Sequence, residues 1–99
     1  MAKNNSQSEE TNTMEKPVRR EGILYRKLDE EGILFDSESN AVHLLNATSE
    51  LIWDCCDGLH DTGRITEAVL KRYRVAREQA VRDVVTALCQ FRELGLLEK

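Results

Sequence analysis

The sequence predicts an α+β domain in which a three-stranded antiparallel β-meander is followed by three α-helices. Three observations carry this. Short β-prone runs broken by turn residues fill positions 23–45, apolar residues at helical spacing follow Asn46, and Gly58 and Gly95 stand where helices should stop. The first two strands are expected at Ile23 to Leu28 and Gly32 to Asp36, separated by Asp29-Glu30-Glu31, with Gly32 supplying the permissive backbone of the turn. Ser37-Glu38-Ser39-Asn40 makes a second turn and Ala41 to Leu45 a third strand. Connections this short force antiparallel neighbours, so the third strand lies at an edge. Alternation puts Ala41, His43 and Leu45 on one face and Val42 and Leu44 on the other. Both faces are mainly apolar, so this strand either lies between layers or has one face open to a partner.

In the run LNATSELIWDCCDG that follows, Asn46 is a good N-cap, with Thr48 or Ser49 as later starts. Leu51, Ile52 and Cys55 form an apolar stripe widened by Trp53 and Cys56, and Gly58 is the expected stop. Asp61 or Thr62 can cap a second helix with the stripe Ile65, Ala68, Val69 and Tyr73, although Gly63 weakens its first turn by about 1 kcal/mol. The third helix is expected from Arg77 to Leu94, with Val81, Val84, Val85, Leu88 and Phe91 repeating at threes and fours before Gly95. Leu96 and Leu97 then pack back or add a terminal strand turn. Three helices with a small antiparallel sheet are the ingredients of a winged helix-turn-helix, a fold that does not itself give a function.

The 99 residues make one domain. Residues 1–20, MAKNNSQSEETNTMEKPVRR, hold too few apolar side chains to offset the entropy of ordering, so they are expected to be a disordered polar tail, leaving 21–99 as the domain. A domain of that size has a modest core, which leaves room for a homodimer or a stabilising partner. The tail has four basic residues against three acidic ones; with −4 overall, the domain carries −5. Such a balance repels phosphate backbones and makes nucleic acid an unfavoured partner. No run approaches the roughly 20 apolar residues that span a membrane, and no secretory signal opens the chain. Cys55, Cys56 and Cys89 are odd in number, two of them adjacent, without zinc-site spacing; they read as reduced thiols in a cytoplasmic protein.

No catalytic constellation is visible. His43 falls mid-strand and His60 in a loop, neither with a nucleophile placed beside it by local spacing. Asp54 and Asp57 lie one turn apart at a helix end, where acids are usually solvated, and no glycine-rich loop could cradle phosphate. The chain is therefore expected to be no enzyme and to need no cofactor or metal. As a winged-helix DNA-binding regulator it would need a basic third helix. Arg77, Arg82 and Arg92 there are balanced by Glu78, Asp83 and Glu93, and the basic excess sits on the second helix instead.

From Ala41 to Leu97 the chain resembles the PqqD-like family, named for the small protein of pyrroloquinoline-quinone biosynthesis. The matching residues are LLNATSELIWDCCDG at the strand-to-helix junction, ITEAVLKRY on the second helix and VVTALCQFRELGLL at the end of the third. Gly63, Arg64 and the uncapped Ala76 depart from the family pattern. The resemblance implies a module that captures the leader segment of a ribosomally made precursor peptide and presents it to a modifying enzyme, often a radical S-adenosylmethionine maturase. The leader would add as a strand beside Ala41, Val42, His43, Leu44 and Leu45, its side chains meeting Val81, Arg82, Val85, Thr86 and Cys89 of the third helix. Arg82 is the candidate partner of an acidic leader residue. The residues are compatible with that mode: strand addition needs an unpaired edge, and no Pro or Lys blunts Ala41 to Leu45. The competing expectations are an edge covered by the tail or a second subunit, and a subunit that only stabilises an enzyme.

Overall fold

The computed structural model describes residues 15–99, so residues 1–14 of the expected tail lie outside the described residues. The strands are β1 (Ile23–Leu28), β2 (Glu31–Asp36) and β3 (Ala41–Leu45); the helices are α1 (Ala47–Asp54), α2 (Thr62–Arg72) and α3 (Arg77–Glu93). The order β1-β2-β3 is an antiparallel meander, with Leu34 opposite Tyr25 on one side and His43 on the other.

Turn chemistry differs from the expected one at the first hairpin. Asp29 (φ 44°) takes the left-handed conformation that glycine was expected to supply, and Asn40 (φ 62°) does so in the second turn. Gly32 is instead paired within the sheet, between Lys27 and Leu45. A Cβ there would meet Glu50 Cγ at 2.8 Å, so Gly32 is small to admit α1, not to bend the chain.

α1 opens as expected, with the Ser49 amide donating to Asn46 Oδ1 at 2.9 Å. It ends at Asp54, one turn before the expected stop at Gly58. The residues after it pair with the segment from Pro17 to Arg20. Val18 bridges Asp57, the Gly58 amide donates to Pro17 O, and the Arg19 amide donates to Cys56 O. On its other side Arg19 bridges Leu97, and the Glu98 amide donates to Val18 O. The domain therefore begins before residue 21. The expected boundary fails because backbone hydrogen bonds, invisible in composition, hold these residues between the exit of α1 and the chain end. Leu96 and Leu97 both pack back into the core, and Leu97 alone makes an isolated bridge, with Arg19, not a strand.

α2 is capped by Asp61 through the Arg64 amide, whereas Ala76 gives α3 no side-chain cap. Gly95 (φ 73°) closes α3, and the Leu96 amide reaches back to Phe91 O at 2.8 Å. The core joins Leu34 and Leu45 of the sheet to Ile52, Trp53 and Cys56 of α1, Ile65 and Val69 of α2, and Val84, Leu88 and Phe91 of α3. Trp53 meets Phe91 edge-on with ring centroids 5.2 Å apart, a favourable aromatic geometry. α1 is the hub: it packs on β2, β3, α2 and α3. Among the described residues no helix is long and apolar enough to cross a membrane.

Candidate peptide-binding edge

β3 pairs with β2 along one side only; among the described residues its other side has no strand partner. Its side chains alternate as the sequence indicates. Ala41 and His43 are half-buried and Leu45 is buried, facing the helices, while Val42 and Leu44 are 57% and 64% exposed on the far face. β1 is the opposite edge, but Arg26 and Lys27 in consecutive positions blunt it. The uncharged β3 edge is the one open to strand addition.

The α3 candidates lie along the flank of its core stripe. Ala80, Val84, Ala87, Leu88 and Phe91 point inward, whereas Val81 and Val85, each 41% exposed, and the exposed Cys89 repeat every four residues beside them. Arg82 and Thr86 are exposed on the same turns. The Arg82 guanidinium donates to Gln79 Oε1 at 3.1 Å and makes no ion pair among the described residues. No Cα of β3 lies within 8 Å of a Cα of α3, and both elements pack on α1.

The remaining polar groups near the sheet are committed to structure. The Arg19 guanidinium donates to Trp53 O (3.1 Å) and Asp54 O (3.0 Å), placing a cation on the carbonyl end of α1. Arg20 pairs with Asp36 at 2.7 Å. These two arginines, expected in a disordered tail, are structural because the Val18 and Arg19 bridges bring them there. Burial alone would raise the Asp36 pKa, but the Glu38 amide and Arg20 outweigh it and the net shift is downward. Glu50 is likewise lowered, by hydrogen bonds from Lys27 (2.7 Å) and Tyr25. Asp57 is lowered by its hydrogen bond with His60 and by the Leu59 amide. Burial pushes the Cys56 thiol up to about 12 and raises Cys55 as well, so both behave as apolar core groups.

A concavity of about 540 Å³ lies elsewhere, between β1 and α1, lined by Tyr25, Lys27, Glu50, Trp53 and Tyr73 among others. The pairing of Glu50 with both Lys27 and Tyr25 satisfies its central polar groups internally. Sequence reasoning missed this concavity because its walls come from positions 19 to 73 with no local spacing. Among the described residues no three His, Cys, Asp or Glu side chains are grouped to hold a metal ion.

The family model of coenzyme PQQ synthesis protein D (PqqD) matches residues 31–97. The chain belongs to the PqqD family. Two solved structures share the fold of this PqqD-family chain. One is described as TbiB1 in complex with the TbiA(beta) leader peptide (TM-score 0.73, 22% identity, covering 82% of this chain and 94% of that one). The other is a lasso peptide synthetase B1 complexed with the leader peptide (TM-score 0.75, 24% identity, covering 85% and 99%). No curated protein sequence matches the chain significantly.

Proposed function

We propose that this PqqD-family protein is a non-catalytic adaptor that binds the leader segment of a ribosomally synthesised precursor peptide and presents it to a separate modifying enzyme. The observation that carries the reading is the open, uncharged β3 edge. A leader strand would exchange backbone N–H and C=O bonds with Ala41–Leu45, which supplies affinity for any extended peptide. Selectivity would come from side chains directed at α3, where Val81, Val85 and Cys89 offer apolar contact and Thr86 a hydroxyl. Arg82 would favour an acidic leader residue. Membership of the PqqD family and the leader-bound state of both solved neighbours support this reading. A radical S-adenosylmethionine enzyme is the modifying partner the family resemblance favours, acting with this chain in the cytoplasm.

Fluorescence anisotropy with labelled leaders of pyrroloquinoline-quinone and lasso peptide precursors tests the reading. Saturable binding that weakens at least tenfold in Val85→Glu is the expected result. Absence of binding by every leader, together with salt-sensitive binding to duplex DNA, would replace the reading with the DNA-binding one.

A further inference from the structure

The sheet is one strand wider than the helical layer against it. α1 packs on β2 and β3, whereas no Cα of any helix lies within 8 Å of a Cα of β1. Tyr25 is in register with the buried Leu34, so Ile23, Tyr25 and Lys27 are the inward-facing side chains of β1, and they wall the concavity of about 540 Å³. That volume lies within the roughly 300–1,000 Å³ of small-ligand sites. At one end Glu50, in the first turn of α1, holds Lys27 and Tyr25. One helical turn further along, Arg19 sits on the last carbonyls of α1, and Arg72 and Tyr73 join from the end of α2. Ile23, Leu51 and Trp53 add apolar wall, and three of the chain's five aromatic side chains, Tyr25, Trp53 and Tyr73, line this one space.

Its charges cancel in pairs, with a remainder. Lys27 is matched by Glu50 and Arg20 by Asp36, each at 2.7 Å. Arg19 and Arg72 then face Asp54 alone, an excess of one positive charge in a chain of net −4. Among the described residues Arg72 makes no ion pair. Arg19 donates there through Nη1 alone, to Trp53 O and Asp54 O, which leaves the rest of its guanidinium N–H groups for an anion. A single positive excess suits a monoanion. A phosphate monoester, at about −1.5 to −2, would overshoot it and meet Asp54 and Glu50.

The geometry points to a second binding site, at the sheet edge opposite β3, for a carboxylate carried on an aromatic body. Arg19 and Arg72 take the carboxylate through charge-assisted hydrogen bonds, and Tyr25, Trp53 and Tyr73 pack against the ring. Two sources present this chemistry, a free aromatic acid and the C-terminal aromatic residue of a peptide. Neither requires strand addition at β1, which Arg26 and Lys27 blunt. The site does not depend on the leader-binding reading, since no residue of β3 or α3 lines it.

Trp53 is the chain's one tryptophan, so its fluorescence in the full-length protein reports occupancy, with backbone amide shifts as a second readout. The probes are phenylacetate, N-acetylphenylalanine, its uncharged amide and phenyl phosphate. A saturable response to a carboxylate probe, with amide shifts at Leu51 and Tyr73 and none along Ala41–Leu45, is the expected result; the uncharged amide should give none and phenyl phosphate a weaker one. A response to phenylacetate alone assigns the site to a free acid, and one to N-acetylphenylalanine alone to a peptide end; either supports the site. Arg72 and Asp54 are exposed, so substitutions there should leave the melting temperature unchanged. Arg72→Gln is expected to weaken binding about tenfold, the loss of one hydrogen bond to a charged group. Asp54→Asn is expected to tighten it roughly threefold by removing the acid opposed to the ligand. No saturable response to either carboxylate at millimolar concentration, equal binding of the uncharged amide, or an affinity unmoved by Arg72→Gln would overturn the proposal.

Discussion

The three cysteines divide by environment. Cys55 and Cys56 are buried with raised pKa values, while Cys89 is exposed on the flank of α3 that we assign to the peptide. Thiolate is the reactive form, so one thiol of the native chain should react rapidly with Ellman's reagent and all three after unfolding. A saturating leader should slow the Cys89 reaction and leave the buried pair silent, a comparison followed by absorbance or mass spectrometry. Trp53 carries a different weight. It is 5% exposed and set edge-on against Phe91, so Trp53→Ala should cost about 3–5 kcal/mol in urea denaturation. The sequence made Trp53, Cys55 and Cys56 legible as core because their spacing fits an apolar helical stripe. It did not reveal Gly32, whose smallness answers to Glu50, eighteen positions away and on another element.

Elements announced by local chemistry were legible at that level: Asn46 and Asp61 cap α1 and α2, Gly95 ends α3, and the alternation of β3 puts Val42 and Leu44 outside. What failed was set by distant backbone pairing. The segment from Pro17 to Arg20 has no periodicity to betray it, yet it lies hydrogen-bonded between Cys56–Gly58 and Leu96–Glu98. Removing it should therefore destabilise the domain. A chain starting at Glu21 is expected to melt several degrees below the full chain, since it loses the Arg19 contacts to Trp53 O and Asp54 O and uncovers Asp36. An unchanged melting temperature in calorimetry would show that the segment is only draped on the domain. The candidate site was legible as an edge and a helix flank. How β3 and α3 lie relative to one another was not, because both pack on α1, a third element.

For the whole molecule, charge sets the pH range of stability. Asp36, Glu50 and Asp57 all have folded-state pKa values below their ordinary ones. A lowered carboxyl pKa stabilises the fold above the unfolded value, about 4, and that contribution is lost as pH falls through the folded value. The melting temperature should hold from pH 7 to about 5 and fall below about 4, and Asp36→Asn should flatten the acid limb. The surface we assign to the peptide, the β3 edge with the flank of α3, carries part of the chain's exposed apolar side chains: Val42, Leu44, Val81 and Val85.

The claim on which the rest depends is that a leader peptide becomes the fourth strand of this sheet. Backbone amide shifts of isotopically labelled protein, followed during titration with a binding leader, report it directly. The expected result is a continuous set of saturating shifts along Ala41–Leu45 and at Val81, Val85 and Cys89, with slowed hydrogen exchange at β3 amides. Shifts confined to α2 and the basic segment Lys16–Arg20, with none along Ala41–Leu45, would contradict it.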